Sequence, residues 1–219
     1  MPIIGAFASE ATQVRYIAGG TALASGSTYT LPNPTRAGDV IIFTYTNTGS
    51  PTLTSSTTGI TWATQYATSG GSTPQPRILM GYNANAGITS FTVSGTASGG
   101  GGYGILLVSG LRSSSNPVIT TAQAVWASGS SGGTTGTMNL SGNTQVLLVG
   151  AATEFGAQTF SSASTASGAA VNQRTINSVT RTISTVTSQS ITSSSTETMT
   201  FNFSAAQTGG LLVLALAHA

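Results

Sequence analysis

The feature that most constrains this fold is an alternation of apolar and polar residues without any helical period. Met199, Phe201 and Phe203 alternate with polar residues, and Val14 and Tyr16 do so near the start of the chain. Successive side chains of a β-strand point to opposite faces, so a period of two predicts strands with one buried face. No window of eleven residues carries apolar side chains at the spacing of an amphipathic helix. We therefore predict an all-β chain.

Short runs of almost wholly apolar residues indicate a second kind of strand. Most of these runs are flanked by Gly, Ser or Asn, and they occupy residues 40–43, 78–80, 105–108 and 146–149. A strand that is apolar on both sides is typical of the centre of a layered structure. We predict central strands that are covered on both faces.

The order of these elements repeats once along the chain. Each half opens with an apolar strand and closes with an alternating segment followed by a second apolar strand, at residues 91–108 and 201–215. This period is much longer than the roughly 20–50 residues of a solenoid repeat. Each half needs a partner sheet over its apolar face, so we predict one antiparallel β-sandwich with halves at about 37–112 and 140–219.

Two segments lie outside this simple plan. Residues 1–36 contain a predicted strand at 12–17 and a Pro-marked turn, and they form either an added edge strand or an arm that reaches a neighbouring subunit. Residues 161–195 are almost all Ser, Thr, Ala, Gly and Asn with sparse β-branched residues. That segment is either a set of long exposed hairpins or poorly ordered, and the recurring β-branched residues favour hairpins.

The charge content excludes several classes of function. Charged residues make up 5% of the chain, the net charge is +2, and all six basic residues are scattered arginines. Nucleic-acid binding relies on clustered basic side chains, so we expect no nucleic-acid partner. One histidine and no cysteine leave too few ligands for a zinc site, and no loop has two acids for calcium. We expect no metal and no cofactor.

The hydrophobic segments predict no membrane span. The longest uninterrupted apolar run, residues 211–217, is far shorter than the roughly 20 residues that cross a bilayer as a helix. The first residues lack the basic and apolar regions of a secretory signal. We expect a product that is made and folded in a cytoplasm.

The ionisable residues do not form a catalytic pattern. His218 is the only histidine, and a catalytic base would need an orienting carboxylate and a nucleophile nearby. The four acids, Glu10, Asp39, Glu154 and Glu197, lie far apart in sequence. Glu154 follows an apolar strand, and we place it at a sheet edge. We predict a solvated His218, no catalytic residue and no enzymatic activity.

Aromatic side chains are the better candidates for a surface function. Trp62 shares strand parity with Ile60, which favours core packing. Trp126 lies in a Ser/Gly-rich neighbourhood, and we predict that it is the more exposed tryptophan. Aromatic and arginine side chains are typical anchors of interfaces. The candidate interface or ligand residues are Trp126, Tyr103 and Arg112.

Four motifs carry a resemblance to a known kind of domain. They are a Gly-Asp strand at residues 37–42, a turn with Trp62 at 59–62, an aliphatic–aromatic strand at 77–82 and a Thr-rich strand at 88–93. Together they resemble a recurrent β-sandwich domain of phage tail and virion proteins and of bacterial surface proteins, and the second half follows the same pattern. The resemblance covers residues 36–219. It implies a jelly-roll-like sandwich in a virion or cell-surface setting and carries no catalytic residues.

These observations lead to two functional hypotheses. The first is a non-enzymatic phage virion protein, a capsid decoration or cement subunit or another surface-displayed subunit. It would be assembled in the host cytoplasm, contact other capsid or tail proteins and form a homo-oligomer. The second is a receptor- or glycan-binding module of a tail fibre or surface adhesin, with a host surface glycan as its ligand. A hydrolase would need a carboxylate pair within roughly 10 Å.

Overall fold

A computed structural model describes most of the chain. The residues described are 13–21, 26–47, 53–63, 65–68, 75–95, 102–112, 115–140, 143, 145–156, 158–177, 181–188, 191–192 and 196–218. In these residues the regular elements are β-strands without a helix, as the alternation predicted. The same residues accordingly include no helix that could cross a membrane.

The strands fall into two consecutive sets, which we call the first half and the second half. The first half consists of β1 (Gln13–Gly20), β2 (Thr28–Thr30), β3 (Val40–Asn47), β4 (Leu53–Thr54), β5 (Thr61–Trp62), β6 (Tyr66–Ala67), β7 (Gln75–Tyr82), β8 (Ser90–Thr92), β9 (Ser94–Gly95) and β10 (Tyr103–Ser109). The second half consists of β11 (Val118–Trp126), β12 (Gly132–Thr134), β13 (Met138–Asn139), β14 (Gln145–Phe155), β15 (Phe160–Thr165), β16 (Val171–Asn177), β17 (Arg181–Ser188), β18 (Ile191–Thr192), β19 (Thr196–Glu197), β20 (Met199–Phe203) and β21 (Gly209–Ala217).

Each half contains one large antiparallel sheet with the same strand topology. The first sheet has the order β1-β10-β3-β7-β5, and β6 also pairs with β7. The second has the order β11-β21-β14-β17-β16, and β18 also pairs with β14. In both sheets the first strand of the half lies at the edge and pairs with the last strand. The two halves are therefore similar in connectivity as well as in sequence pattern.

Short sheets form an outer layer on each large sheet. In the first half β2 pairs with β8 and β4 with β9, while in the second half β20 lies between β12 and β15 and β13 pairs with β19. In the large sheet of each half, the first strand pairs with the last strand. In the outer layer, the second strand pairs with a strand near the end of the half, as β2 does with β8 and β12 with β20. This wrapping is jelly-roll-like, and the fold is an all-β antiparallel sandwich built from two similar halves.

The long central strands are apolar on both faces because each face contacts a different layer. Alternate residues of one strand enter different cores: Ile41 and Phe43 face the outer layer of the first half, whereas Val40 and Ile42 face the second half. The first core lies within the first half and includes Tyr29, Phe43, Tyr45, Leu79, Phe91 and Leu107. The second core lies within the second half and includes Trp126, Met138, Leu148, Phe201, Phe203 and Val213.

The middle core joins the two large sheets face to face. It is aliphatic apart from Met80 and includes Ile42, Ile78, Leu106, Val149, Leu212 and Leu214, all 3% exposed or less. Strand β3 lies against β14 at its centre, β7 lies against β21, and β10 lies against β17. By position in their sheets, β7 corresponds to β17 and β10 to β21. The β7–β21 contact is therefore matched by the equivalent β17–β10 contact, as in an interface with two-fold symmetry. The two halves thus pack like the subunits of a symmetric dimer within one chain.

Strand β1 lies within the segment predicted as an edge strand or an arm, and it is the edge strand of the first sheet, paired with β10. Strands β11 to β13 precede residue 140 and pair with strands of the second half. These strands carry no long apolar run, which is why the sequence pattern did not assign them to the halves. Residues 1–12 of the predicted N-terminal arm lie outside the described residues.

The hairpins favoured for residues 161–195 agree with the strands described there. Strands β16, β17 and β18 lie within that range, β15 begins at Phe160, and β16 and β17 pair antiparallel. Near Trp62 the structure has two short strands, β5 and β6, both of which pair with β7.

Candidate functional site

The residues proposed from sequence as interface or ligand anchors lie in three different places. Tyr103 begins β10 and is partly buried, with its ring stacked on Phe43 at 5.6 Å between centroids. Trp126 ends β11 in the other half, and Arg112 is exposed in the segment between the halves, where its backbone N–H bonds the Ala217 carbonyl at 3.1 Å. The structure does not assemble these three side chains into one site.

The exposure predicted for Trp126 is wrong. Its side chain is 7% exposed and packs in the second core, with its ring centroid 6.4 Å from that of Phe203. Glycine supplies the space: a Cβ on Gly209, the residue opposite on β21, would lie 2.6 Å from the Trp126 ring. The Ser and Gly residues that suggested exposure belong to the turn that follows β11.

Glu154 also differs from its predicted position at a sheet edge. It lies in β14, which is flanked on both sides by β21 and β17, and it is fully buried. The Trp126 indole Nε1 donates a hydrogen bond of 3.2 Å to its carboxylate. Burial raises the pKa of Glu154 to about 7, although hydrogen bonds from Trp126 and the Gln207 backbone oppose that shift.

The other two described carboxylates, Asp39 and Glu197, accept hydrogen bonds from residues in or next to turns. Asp39 is 1% exposed and accepts hydrogen bonds from the Ser109 hydroxyl at 2.6 Å and the Arg36 backbone at 2.8 Å, with Arg15 3.7 Å away. Its position ties the turn before β3 to the end of β10. The aspartate of the Gly-Asp motif at residues 38–39 therefore has a structural role.

Glu197 has a comparable structural position in the second half. It is 1% exposed and accepts backbone hydrogen bonds from Ala166 at 2.7 Å, Ser167 at 3.2 Å and Thr198 at 2.9 Å. These bonds fix the turn after β15. Glu10 lies outside the described residues, and among the described ones no three His, Cys, Asp or Glu side chains cluster as metal ligands.

His218 is not the solvated residue that its terminal position suggested. It is partly buried and forms a β-bridge with Leu111, which lies two residues after the end of β10. Burial lowers the pKa of its imidazole below the ordinary value of 6.5.

A cleft in the first half has the chemistry of a binding site. Its volume of about 470 Å³ falls within the roughly 300–1,000 Å³ that is typical of small-molecule sites. The described residues that line it are Leu53, Thr54, Ser55, Trp62, Ala63, Gln65, Ala67 and Arg77. We call it the Trp62–Arg77 cleft.

Strand pairing positions the charged side chain of this cleft. Arg77 lies in β7 between Tyr45 of β3 and Ala67 of β6. Its side chain is 6% exposed, and Nη2 donates a hydrogen bond of 2.9 Å to Gln75. Burial lowers the pKa of the Arg77 guanidinium, but an arginine stays protonated at neutral pH. The lining residues named above therefore carry one positive charge and no acid.

The aromatic wall and the polar floor of the cleft are held by neighbouring strands. Trp62 packs against Phe91 with 5.6 Å between ring centroids. A Cβ on Gly81, its partner on β7, would lie 2.9 Å from the Trp62 ring, so glycine is needed there. Gln65 Oε1 accepts hydrogen bonds from the Leu53 backbone at 2.8 Å and from the Tyr45 hydroxyl. Burial raises the pKa of Tyr45, which keeps that hydroxyl a donor.

The sequence pattern gave little indication of this cleft. Arg77 was one of six scattered arginines, and Trp62 was interpreted as a core residue, a role that its packing on Phe91 in part supports. The one available signal was a basic residue at the head of an apolar strand. Its neighbours Tyr45 and Gln65 come from other elements, and local sequence does not show that they meet.

No protein-family model, no curated protein and no solved structure matches this chain.

Proposed function

We propose that this chain is a non-enzymatic structural protein of a phage virion, displayed on the particle as a capsid decoration or cement subunit. The observation that carries the proposal is the use of the acidic side chains. Asp39, Glu154 and Glu197 are all buried, and each accepts hydrogen bonds within the fold. Residues that could serve acid–base chemistry thus contribute to turns and cores, which supports a role without catalysis.

The surface chemistry supports a displayed subunit. Among the described residues Val125 is the one large hydrophobic side chain that is exposed, at 37%. Many exposed strand positions carry Thr or Ser, as in the pair Thr28 with Thr92 and in Thr134. Contacts with other virion proteins or with further copies of the chain would then use hydroxyl groups and open strand edges. In the described chain, β1 pairs on one side only.

The proposal is tested on purified particles. Quantitative mass spectrometry should find the protein at a copy number in fixed ratio to the major capsid or tail protein, and native mass measurement should give a homo-oligomer. A particle preparation that lacks the protein, or holds only trace amounts, would exclude the virion role.

A second function, recognition of a host surface glycan, is favoured by the Trp62–Arg77 cleft. An aromatic ring next to hydroxyl, amide and guanidinium groups is suited to a sugar, because the ring packs against C–H groups while the polar side chains bind hydroxyls. The buried Trp126 no longer serves this hypothesis. The two functions are compatible, since a displayed virion subunit can also bind a receptor.

A further inference from the structure

The charge in the Trp62–Arg77 cleft selects the class of ligand. Arg77 brings a largely buried guanidinium to a cleft whose described lining residues include no carboxylate. A guanidinium pairs with a carboxylate through two parallel N–H···O bonds, and the pairing is stronger where water is partly excluded. The cleft therefore favours an anionic group over a neutral one.

The tryptophan adds a preference for a ring-shaped ligand. Trp62 is partly exposed and lines the cleft, and the open part of an indole ring can pack against the C–H groups of a sugar ring. Thr54 and Ser55 supply hydroxyl groups at the same cleft.

We propose that the Trp62–Arg77 cleft binds an acidic saccharide. The sugar ring packs on Trp62, its carboxylate pairs with Arg77, and its hydroxyls bind Thr54 and Ser55. This inference deepens the second function proposed above, glycan recognition, and does not depend on the virion setting.

The first experiment compares three probes on the full chain. Methyl glucuronide and methyl glucoside differ in the carboxylate at C6, and acetate supplies the carboxylate without the sugar. The chain has two tryptophans, so its two indole N–H signals in a ¹H–¹⁵N NMR spectrum can be assigned with Trp62→Phe. Methyl glucuronide should shift the Trp62 signal and leave that of Trp126 in place. Methyl glucoside and acetate should each bind about tenfold more weakly or worse, because each lacks one of the two contacts.

The outcomes distinguish the inference from the broader proposal. Equal binding of glucuronide and glucoside would leave glycan recognition standing and overturn the acidic preference. Acetate binding as tightly as glucuronide would make the cleft a simple carboxylate site. If no probe shifts Trp62 at millimolar concentration, the inference is wrong, whereas the virion role is decided separately by particle composition.

Substitutions locate the binding site. Arg77→Met keeps an unbranched side chain without the charge, and it should weaken glucuronide binding by about tenfold or more. Arg36→Met is the matched control, because Arg36 is exposed and does not line the cleft. Thermal unfolding verifies that each variant is folded. Should Arg77→Met be unfolded, Arg77→Lys keeps the charge without the two-pronged geometry and should still bind more weakly than the wild type. Wild-type affinity in a folded Arg77 variant, or its loss in Arg36→Met, would place the site elsewhere.

Discussion

In both halves, a glycine lies opposite an aromatic residue where the first strand of the half pairs with the last. In the first half Gly20 of β1 lies opposite Tyr103, the first residue of β10, and its Cβ would meet that ring at 2.8 Å. In the second half the roles are exchanged: Trp126 of β11 lies opposite Gly209, the first residue of β21. An aromatic side chain can cover a glycine on the neighbouring strand. Here the aromatic residue belongs to the last strand of the first half and to the first strand of the second half.

Replacing Gly209 with alanine should destabilise the protein. A Cβ there would lie 2.5 Å from the Thr153 carbonyl and 2.6 Å from the Trp126 ring, and overpacking a closed site costs about 1–3 kcal/mol. Gly136→Ala is the control, because nothing lies within 4 Å of its Cβ position and an unconstrained surface change costs less than about 0.5 kcal/mol. Urea unfolding of both variants measures the difference, and equal midpoints would contradict the proposed packing role.

The buried Glu154 makes stability depend on pH near neutrality. Its pKa is raised from 4.5 to about 7 in the folded state, so the folded protein binds this proton more tightly than the unfolded chain does. The free energy of unfolding contributed by this group is highest below about pH 4.5, falls as the pH rises to about 7 and is flat above that. At about 1.4 kcal/mol per pH unit the fall amounts to roughly 3 kcal/mol.

Glu154→Gln should remove this dependence, because the amide is neutral at every pH and can still accept the Trp126 hydrogen bond. We expect the variant to be more stable than the wild type above pH 7 and to show a flatter profile between pH 4.5 and 7. Chemical denaturation at a series of pH values measures both curves. A variant that keeps the wild-type slope would assign the dependence to another group.

At the scale of elements, the central strands differ from ordinary sandwich strands because both of their faces are buried. Ile41 and Ile42 are neighbours in β3, both are fully buried, and they enter the first core and the middle core respectively. In the outer layer β8 is one-sided, with Phe91 buried and Thr92 exposed. The continuous apolar runs of the sequence mark strands that lie between two layers.

Polar substitution on either face of β3 should therefore be damaging. Ile41→Thr and Ile42→Thr each keep a β-branched side chain but lose a methyl group and bury a hydroxyl, at a combined cost of about 2–4 kcal/mol. Thr92→Val on the one-sided strand should change stability by less than about 0.5 kcal/mol. Urea midpoints compare the three variants. Tolerance of Ile42→Thr alone would mean that the two large sheets are not packed together in solution.

The elements were more predictable from sequence than the site. Period-two alternation at Met199, Phe201 and Phe203 matches alternate burial in β20, because strand parity is a local property. The direction of Trp126 depends on the glycine opposite it, and the position of Arg77 depends on pairing with β3 and β6. Both are long-range relations. A sequence pattern predicts which faces are apolar, but it does not show which other strand covers each face.

At the scale of the whole molecule, the middle core couples the two halves. It is formed by aliphatic residues of both large sheets, and side chains from the two halves also meet in the Thr153–Thr46 hydrogen bond of 2.8 Å. Separating the halves would expose this apolar surface to water. The two halves should therefore unfold together, although each has its own inner core.

One tryptophan in each half allows this coupling to be measured. Trp62→Phe leaves the indole of the second half as the reporter, and Trp126→Phe leaves that of the first half. In each variant, the thermal midpoint from tryptophan fluorescence should coincide with that from far-UV circular dichroism, as expected for one cooperative transition. A half that melts separately would give a fluorescence midpoint different from that of the whole chain.

The burial of Asp39, Glu154 and Glu197 also determines how the outside of the molecule responds to its medium. What remains outside, in the part of the chain described, is chiefly hydroxyl groups and exposed arginines such as Arg36, Arg112 and Arg174. Hydroxyl groups do not change their protonation between mildly acidic and mildly alkaline solution. A contact made through these hydroxyl groups would therefore persist from an acidified medium to an alkaline one.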